Sequence, residues 1–491
     1  MGVTYMQKGS FIGINFGTTN TAVVQLLNDE QGYRIVNLGE GGEYPFSSII
    51  AIPKKGGPLK FGREVRSRRE ELSADYEVFS SMKSYLGTDK EFIVGSERYS
   101  ATEIAEQFLR SVKTYIERVY KIEIKEAGFS FPVDFTPEAR RELRIAAKNA
   151  GIEVKSFVSE STAAYFANRQ EGQAYSRVMV LDWGGGSFDI SILNLKKNSV
   201  SELVVYGENI GGDNIDIELA KRIHADIIKK SNLSTNISFD DMSPVSRDLM
   251  IARCERAKIE ISETDEEYDL TIMYYGIYGT KNLTVSVDLF NGVVEPIVKG
   301  RILRAIDKAL GRANLTPAGI DAVIIVGGSS NLTPYEKAIT NLFGKDKIIL
   351  PRKPQWSTAE GAALMQIIGG NFQLNDSLGV LLSDGSVFPL LKAMKDGVGT
   401  TIGPIRFSLV EDSQNANFIF TDGAGDLILN RINIPTKGFF KEEIQLIAEI
   451  GDDQIARLII QNLFMGNSDS NPPKKVEINH LTFHYNIEKL N

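Results

Sequence analysis

Two short segments of this sequence have the residue types that bind an anion. They are GINFGTTN at 13–20 and VLDWGGGSFD at 180–189. In each, a predicted β-strand ends in Asn or Asp, an aromatic residue and glycine, and small residues then lead into a second apolar strand. Glycine lets backbone N–H groups converge on an anion, and Thr or Ser hydroxyls add donors. Two such turns facing each other could hold a polyphosphate, whereas either turn alone is typical of an ordinary β-hairpin.

Two further glycine pairs follow predicted strands. VIIVGGSSN at 323–331 precedes a predicted helix, and YGENIGGDNID at 206–216 contains the second pair. The first pattern is ordinary turn chemistry by itself, but as a third member of the set it could hold a sugar or a base. The second is most simply a loop, and otherwise a further wall of a phosphate site.

Composition narrows the class of protein. The 491 residues carry 55 basic and 63 acidic side chains, a net charge of −8, so no basic excess favours nucleic acid. The single cysteine, Cys254, cannot form an internal disulfide, and the 3 scattered histidines lack the spacing of zinc ligands. No segment has the length and apolarity of a membrane span or of a signal peptide. We therefore expect a soluble, cytoplasmic protein with no nucleic-acid or membrane partner.

Strands alternate with helices up to about residue 369, which predicts a layered α/β architecture. Apolar residues recur at helical spacing in 104–116 and 219–227, Thr136-Pro137-Glu138 is a typical helix start, and a last helix is expected at 357–368. Beyond residue 377 the pattern changes to period two, which predicts a small all-β domain. The hairpin signals are Asp384-Gly385, Asp396-Gly397, Asp422-Gly423 and Gly451-Asp452.

The glycine turns resemble the phosphate and adenosine motifs of the superfamily that contains sugar kinases, actin and heat-shock chaperones. SESTAAYFAN at 159–168 and STAEGAALMQ at 357–366 resemble its two connecting helices. The resemblance narrows to the seventy-kilodalton heat-shock chaperones, of which DnaK is the familiar bacterial type. It does so through VFSSMKSYLG (78–87), SFPVDFTPEARR (130–141) and CERAKIEIS (254–262). It covers 11–368 and continues loosely to about residue 462.

The resemblance implies a fold and a domain order. After a flexible tail at 1–10, a two-lobed actin-like ATPase domain, a duplicated ribonuclease-H-like fold, is expected at 11–369. A linker at 370–376 is expected to lead to a small β-sandwich at 377–491, similar to the peptide-binding domain but without the helical lid. The implied cofactors are ATP or ADP and Mg²⁺. The implied partners are an extended apolar peptide or a dedicated protein, with a J-domain co-chaperone and a nucleotide-exchange factor.

Carried over position by position, the resemblance also implies roles for individual residues. Catalysis is expected from Lys83, Glu160, Asp182 and Ser187. ATP is expected to contact Gly17, Thr18, Thr19, Asn20, Gly184, Gly185, Gly186, Ser187, Gly211, Gly212, Asp213, Glu255, Lys258, Ser262, Gly327, Gly328, Ser329 and Asn331. Magnesium is expected at Asp182 and Asp189, with Asn15 acting through water. Pro132 and Arg140 are expected to relay nucleotide state, and Val380, Phe407 and Ile419 to line a peptide groove.

These roles have plainer alternatives. The helix CERAKIEIS could simply be exposed and held by charged pairs, a lysine is commonly solvated, and Glu160 could complement a helix dipole. A strand-end Asp commonly forms a turn, and the three groove residues could belong to the sandwich core.

The sequence also departs from the family pattern. Asn15 stands where the family has Asp, which removes a negative charge but keeps the shape and a carbonyl acceptor. The other changes are Asn331 for an adenine-stacking Arg, Ser187 for Thr, Ser161 for Pro, and Asp134 for an aromatic residue. In the linker FQLND only Phe372 and Leu374 can dock by burial. We therefore expect retained ATP binding, slower hydrolysis and weakened coupling through the linker.

The sequence leaves three functions open. The first is an ATPase chaperone of the heat-shock type without a lid, favoured by Lys83, Glu160, Asp182 and Asp189. The second is a nucleotide-binding regulatory or adaptor protein with little turnover, favoured by Asn15. A sugar or metabolite kinase on the same fold is less favoured, because the sequence has CERAKIEIS and the β tail and no obvious sugar-binding insert.

Overall fold

The structure is a computed structural model that describes residues 10–29, 32–231, 237–273, 275–369, 372–465 and 472–490. The predicted tail lies outside the described residues except for Ser10, which begins the first strand. Among the described residues, no helix is long and apolar enough to cross a membrane.

The first lobe contains one mixed sheet and two smaller sheets. Its strands are β1 (Ser10–Phe16), β2 (Asn20–Asp29), β3 (Gly32–Asn37), β4 (Phe46–Ser47), β5 (Ile49–Pro53), β6 (Lys60–Phe61), β7 (Tyr76–Ser80), β8 (Glu91–Val94), β9 (Glu97–Ser100), β10 (Glu126–Phe131) and β11 (Glu153–Ser159). Its helices are α1 (Arg63–Ser67), α2 (Arg69–Leu72), α3 (Ala101–Tyr120), α4 (Pro137–Asn149), α5 (Glu160–Ala167) and α6 (Arg169–Gly172). The strand order of the mixed sheet is β11-β10-β1-β2-β3, with β4 paired to β2, and the smaller sheets are β6-β5-β7 and β8-β9. In the mixed sheet β1, β2 and β3 are antiparallel, and β10 and β11 are parallel to β1.

The second lobe repeats this arrangement. Its strands are β12 (Arg177–Trp183), β13 (Phe188–Lys196), β14 (Ser199–Glu208), β15 (Tyr268–Ile272), β16 (Lys281–Val285), β17 (Ala322–Val326) and β18 (Ile348–Ile349). Its helices are α7 (Gly212–Lys230), α8 (Pro244–Thr264), α9 (Val287–Ile297), α10 (Leu303–Arg312), α11 (Thr333–Phe343) and α12 (Pro354–Ile368). The order β18-β17-β12-β13-β14 has the same strand directions as the first sheet, so the predicted duplication is confirmed.

Local sequence signals account for the helix boundaries. Thr136 caps α4 by accepting the N–H of Ala139, and Pro137 occupies the first helical position, as predicted. The apolar residues at helical spacing lie in α3 and α7. The last helix of the lobe, α12, begins at Pro354, three residues before the predicted start, because proline also suits its first turn.

The connecting helices α5 and α12 cross at very short distance between the two lobes. A Cβ added at Gly361 of α12 would lie 1.9 Å from the carbonyl oxygen of Ala163 of α5. A Cβ at Gly13 of β1 would lie 1.9 Å from the carbonyl oxygen of Ala359. Only glycine permits these contacts, so small residues fix how closely the two lobes approach.

The remaining strands form a β-sandwich and an extension of the second lobe's sheet. They are β19 (Phe372–Leu374), β20 (Leu378–Leu381), β21 (Val387–Leu391), β22 (Thr401–Ser408), β23 (Asn415–Asp422), β24 (Ile428–Pro435), β25 (Glu443–Ile450), β26 (Ala456–Asn462), β27 (Lys474–Ile478) and β28 (Phe483–Asn486). The sandwich sheets have the orders β21-β20-β23-β24 and β22-β25-β26-β27, whereas β28 and β19 follow β14. Alternate residues of β25 are buried, which is the predicted period of two.

One expected hairpin needs correction, and part of the expected linker is a strand. The Asp396-Gly397 signal does not form a hairpin, because β21 and β22 belong to different sheets and this segment crosses between them. The expected linker contains the strand β19, in which Phe372 and Leu374 are 5% and 0% exposed. Both of the residues that could dock by burial are therefore docked.

Candidate functional site

The two glycine turns of the opening motifs meet face to face. A Cβ added at Gly185 would lie 1.9 Å from Thr19 Oγ1, and one added at Gly186 would lie 2.5 Å from Thr18 Oγ1. The strand pairs β1-β2 and β12-β13 position these turns, because each turn joins two antiparallel strands of its own lobe. Only glycine lets the second turn approach the first this closely.

The two turns also present unused backbone donors. The N–H groups of Thr18, Thr19, Gly185 and Gly186 donate to no atom within the described part of the chain. By contrast, the N–H of Gly17 donates to the Asn15 carbonyl, and that of Gly184 to the Ser187 carbonyl. Converging free N–H groups are the usual means of holding a phosphate. The donor set therefore fits a polyphosphate.

The second turn is fastened to the beginning of α7 and to the third glycine turn. The N–H groups of Gly212 and Asp213 donate to the carbonyls of Gly184 and Gly185 at 3.0 and 2.8 Å. Ser329 Oγ donates to the Gly184 carbonyl at 2.8 Å. The pair Gly211-Gly212, interpreted most simply as a loop, instead begins a helix.

A buried ion pair lies beside the turns. Lys83, in a short 3₁₀ segment at Met82–Tyr85, pairs with Glu160, the first residue of α5, and their side chains are 3% and 9% exposed. The Lys83 ammonium also lies 5.5 Å from the centre of the Phe135 ring. A lysine held in this way is not one of the solvated surface cations. It is a fixed positive charge within the site.

Buried carboxylates outnumber this one lysine. Burial, and then the charge of Glu160, raise the pKa of Asp182 to about 7. Burial, and then Glu160 and Asp134, raise the pKa of Asp189 well above its usual value. Asp189 accepts the Val133 N–H at 2.6 Å and the Ser187 hydroxyl at 2.7 Å.

Such an excess of buried negative charge fits a divalent cation. The described residues contain no group of 3 or more His, Cys, Asp or Glu side chains arranged as a complete metal site. Magnesium usually keeps several waters and binds through few carboxylates together with phosphates, so the residues present fit that cation.

The amide of Asn15 is held from both sides. Its Nδ2 donates to Thr358 Oγ1 at 3.0 Å, and its Oδ1 accepts the Ser130 hydroxyl at 3.1 Å. Asn15 thereby ties β1 to β10 and to α12 at the edge of the site. Neither Ser130 nor Thr358 was expected from the sequence, because their hydroxyls become relevant only once the strands and helix are packed.

Two of the expected adenosine residues form ion pairs. Lys258 donates to Asp216 at 2.6 Å and to the Gly212 carbonyl at 3.0 Å, close to the glycine turns. Glu255 pairs with Arg66 of the first lobe at 2.6 Å.

The other adenosine residues are less engaged. Ser262 donates to the carbonyl of Ile259 in its own helix at 2.8 Å, and Gly328 and Asn331 are exposed. Ser81 donates to Asp213 across the lobes. Ser81 stands two residues before Lys83 in VFSSMKSYLG, so that motif could have indicated it, whereas no sequence signal indicated Arg66 or Asp216.

Comparison with known proteins gives two results. A family model described as Hsp70 protein matches residues 58–405. The chain belongs to the Hsp70 family. It is also 28% identical over 405 residues to the chaperone protein DnaK of Mycoplasmopsis agalactiae, an alignment that covers 81% of this chain and 64% of that relative. The first glycine turn, at 13–20, precedes the residues matched by the Hsp70 family model. In the structure this turn contacts the second glycine turn, at 180–189, which lies within the matched residues.

In this Hsp70 protein, α4 carries three of the contacts between the first lobe and the sandwich. Arg140 is fully buried, donates to the Asp453 carbonyl at 2.8 Å and lies over the Phe131 ring at 3.9 Å. Burial lowers the pKa of Arg140 to about 9. Pro132 lies in the turn between β10 and α4, where its carbonyl accepts the Phe135 N–H at 3.0 Å.

Two more arginines of α4 reach the sandwich. Arg141 donates to Glu477 at 2.9 and 3.0 Å, and Arg144 donates to both carboxylate oxygens of Asp452 at 2.9 and 2.8 Å. Gln454 of the same β25-β26 turn donates to the Phe157 carbonyl at 2.9 Å. The sandwich is therefore docked on the first lobe.

The three expected groove residues of the Hsp70 sandwich differ in exposure. Val380 is 3% exposed and belongs to the sandwich core. Phe407 is half-buried and packs edge to face against Phe388 and Phe418, at 5.6 and 5.5 Å between ring centres. Ile419 is also half-buried. The strand that carries Phe407, β22, is at the edge of its sheet, the position where an extended peptide can add a strand.

Proposed function

We propose that the chain binds ATP with Mg²⁺ between its two lobes and acts as a chaperone of the Hsp70 type. The observation that supports this most is the pair of facing turns, in which four backbone N–H groups have no acceptor among the described residues, together with the buried lysine and buried carboxylates. Thr18, Thr19, Asn20, Gly184 and Ser187 belong to these same turns.

Each part of the proposed site has a separate task. The N–H groups orient the phosphates, and Lys83 offsets negative charge that develops during phosphoryl transfer. Glu160 holds Lys83 in place, while Lys258, Glu255 and the third glycine turn form the adenosine side. When bound, Mg²⁺ supplies positive charge at the phosphates. Asp182 and Asp189 are the residues that would hold it, with Asn15 acting through water.

We propose that hydrolysis is slow. Asn15 brings no negative charge to the metal side of the site, and both ends of its amide are engaged by Ser130 and Thr358. This observation also favours the second candidate, a regulatory or adaptor protein that binds ATP with little turnover.

The sandwich is proposed to bind an extended apolar peptide along β22, near Phe407 and Ile419. A J-domain co-chaperone and a nucleotide-exchange factor are the proposed helpers, and the cytoplasm the proposed location. The two candidate functions differ in one measurable respect, because a chaperone releases or captures an apolar peptide when ATP is added. An adaptor binds ATP and one partner without this exchange.

The first test is ATP binding by Gly185→Ala, measured by titration calorimetry with Mg²⁺. The added methyl group meets Thr19 Oγ1, which must move out of its position in the turn. We expect about 10- to 100-fold weaker binding, the effect of losing about one hydrogen bond to a charged group.

Gly292→Ala in α9 is the matched control, because its Cβ meets no atom within 4 Å and ATP affinity should not change. Equal ATP affinity in both variants and the wild type, with both folded by circular dichroism, would falsify the proposed phosphate site.

A further inference from the structure

The linker strand β19 (Phe372–Leu374) is not paired directly with β14, the nearest strand of the second lobe's own sheet. Strand β28 lies between them: Tyr485 pairs with Val200 of β14 on one side and with Phe372 of β19 on the other. His484 likewise pairs with both Ser201 and Gln373. Among the described residues, the linker therefore joins the sheet of the second lobe through a segment more than one hundred residues later in the chain.

The inserted strand is buried on its apolar face. Phe483 and Tyr485 are 1% and 0% exposed. The Phe372 ring packs against both of them, at 5.3 and 5.2 Å between centres. Tyr485 also packs edge to face against Phe166 of α5 at 5.2 Å. One aromatic cluster therefore joins the linker, the inserted strand and the helix that begins with Glu160.

A buried carboxylate fixes the strand to that helix. Glu202 of β14 accepts the Phe483 N–H at 2.8 Å, the Tyr485 hydroxyl at 3.1 Å and the Thr162 hydroxyl at 2.6 Å. Thr162 lies in α5, two residues after Glu160. Glu202 therefore receives donors from the inserted strand and from the helix that holds the buried lysine.

Further bonds hold both ends of the segment. The Asn375 N–H donates to the Thr482 carbonyl at 2.8 Å, and the Ile487 N–H donates to the Asn198 carbonyl at 2.9 Å. Arg169, just after α5, donates to the Leu490 carbonyl at 3.1 Å.

We infer that residues 482–490 form a clip that holds the linker docked on the second lobe both with and without nucleotide. Glu202 is the positioning residue that ties this clip to α5. The strand occupies the edge of β14 within the same molecule. One part of this inference rests on the proposed function, namely that α5 reaches the ATP site through Glu160. The docking of the linker by the clip does not depend on it.

The test is amide hydrogen exchange of linker residues 372–376 in the full chain, without and with Mg²⁺ and ATP. We expect slow exchange in both conditions for the wild type. Tyr485→Ala removes the ring at the centre of the clip, and we expect about tenfold or faster exchange of the linker amides. Tyr44→Ala, which removes a 50% exposed tyrosine, is the control and should leave linker exchange unchanged.

Glu202→Gln provides a second variant if Tyr485→Ala fails to fold. The amide keeps the size of Glu202, but its nitrogen cannot accept a hydrogen bond, as a carboxyl oxygen can in either protonation state, so one of the three bonds is lost. We expect faster linker exchange here too. Linker protection that appears only after ATP is added, or that neither variant reduces, would overturn the inference.

Two more outcomes are distinguishable. A wild-type mass twice that of one chain, lost in Tyr485→Ala, would mean that the strand is exchanged between copies, which contradicts the clip within one molecule. Slow linker exchange in a protein that binds no ATP would support the clip while the proposed function fails.

Discussion

At the scale of single residues, the proposal of slow hydrolysis rests on position 15. Asn15 donates one hydrogen bond to the Thr358 hydroxyl and accepts one from the Ser130 hydroxyl. An aspartate at this position could accept a hydrogen bond from each of these hydroxyls, so Asn15→Asp should leave the fold intact. The change adds the missing negative charge on the proposed metal side of the site. One preorganised charged contact commonly alters a rate by about tenfold to a thousandfold.

We therefore expect Asn15→Asp to accelerate ATP hydrolysis by at least about tenfold in a single-turnover assay. Asn417→Asp, which adds the same charge at an exposed position of β23 in the sandwich, is the control and should leave the rate unchanged. An Asn15→Asp rate equal to that of the wild type, with ATP still bound, is the outcome that counts against this role.

The sequence allows the residues of the motifs to be predicted, but not the ion-pair partners of those residues. The turns at Thr18 and Gly185 were recognisable because glycine and hydroxyl patterns are local. Arg66 and Asp216 were not, since an arginine or aspartate on a helix has no local mark that distinguishes an ion pair from a solvated charge. Their pairing with Glu255 and Lys258 depends on packing between distant elements.

At the scale of elements, the contact between β14, β28 and α5 has a titratable centre. Burial raises the pKa of Glu202 to about 7, from 4.5 for the unperturbed group. Between these values the folded protein holds a proton that the unfolded chain has lost. The stabilising contribution of protonated Glu202 is therefore fully present below about pH 4.5 and is lost as the pH rises through about 7.

We expect this contribution to disappear in Glu202→Gln. The measured quantity is the free energy of unfolding by urea, for the wild type and the variant, at pH 5 and pH 8. The wild-type value minus the variant value should fall by about 1–3 kcal/mol between these pH values. The subtraction cancels other titrating groups such as His480. A difference that is constant, or that rises with pH, would show that Glu202 is already charged in the folded protein.

Elements with strong local signals were predicted well. The boundaries of α4 follow from Thr136 and Pro137, and the period-two pattern correctly indicated the sandwich strands. The pairing of β28 with β14 and β19 was not predicted, because a three-residue ladder between distant segments leaves no periodic trace in the sequence. For the same reason, weak coupling is the expectation that follows from only two apolar linker residues, Phe372 and Leu374. Both are buried in the structure.

For the whole molecule, the sandwich is docked on the first lobe, and the strands before and after it, β19 and β28, extend the sheet of the second lobe. Arg140, Arg141 and Arg144 join it to the first lobe, and the clip at 482–490 joins the linker to the second. The two lobes meet at the glycine turns and at the crossing of α5 and α12. Because α5 carries both Glu160 and Thr162, one helix contacts the proposed site and the domain junction.

The central claim is that the two facing turns hold the phosphates of ATP through their free backbone N–H groups. Residue-resolved hydrogen exchange of Thr18, Thr19, Gly185 and Gly186, with and without saturating ATP and Mg²⁺, tests it most directly. We expect exchange at all four amides to slow by at least about tenfold when ATP binds, because each donor gains an acceptor. Saturation with ATP that leaves these four amides unprotected, while protecting amides elsewhere, would contradict the account.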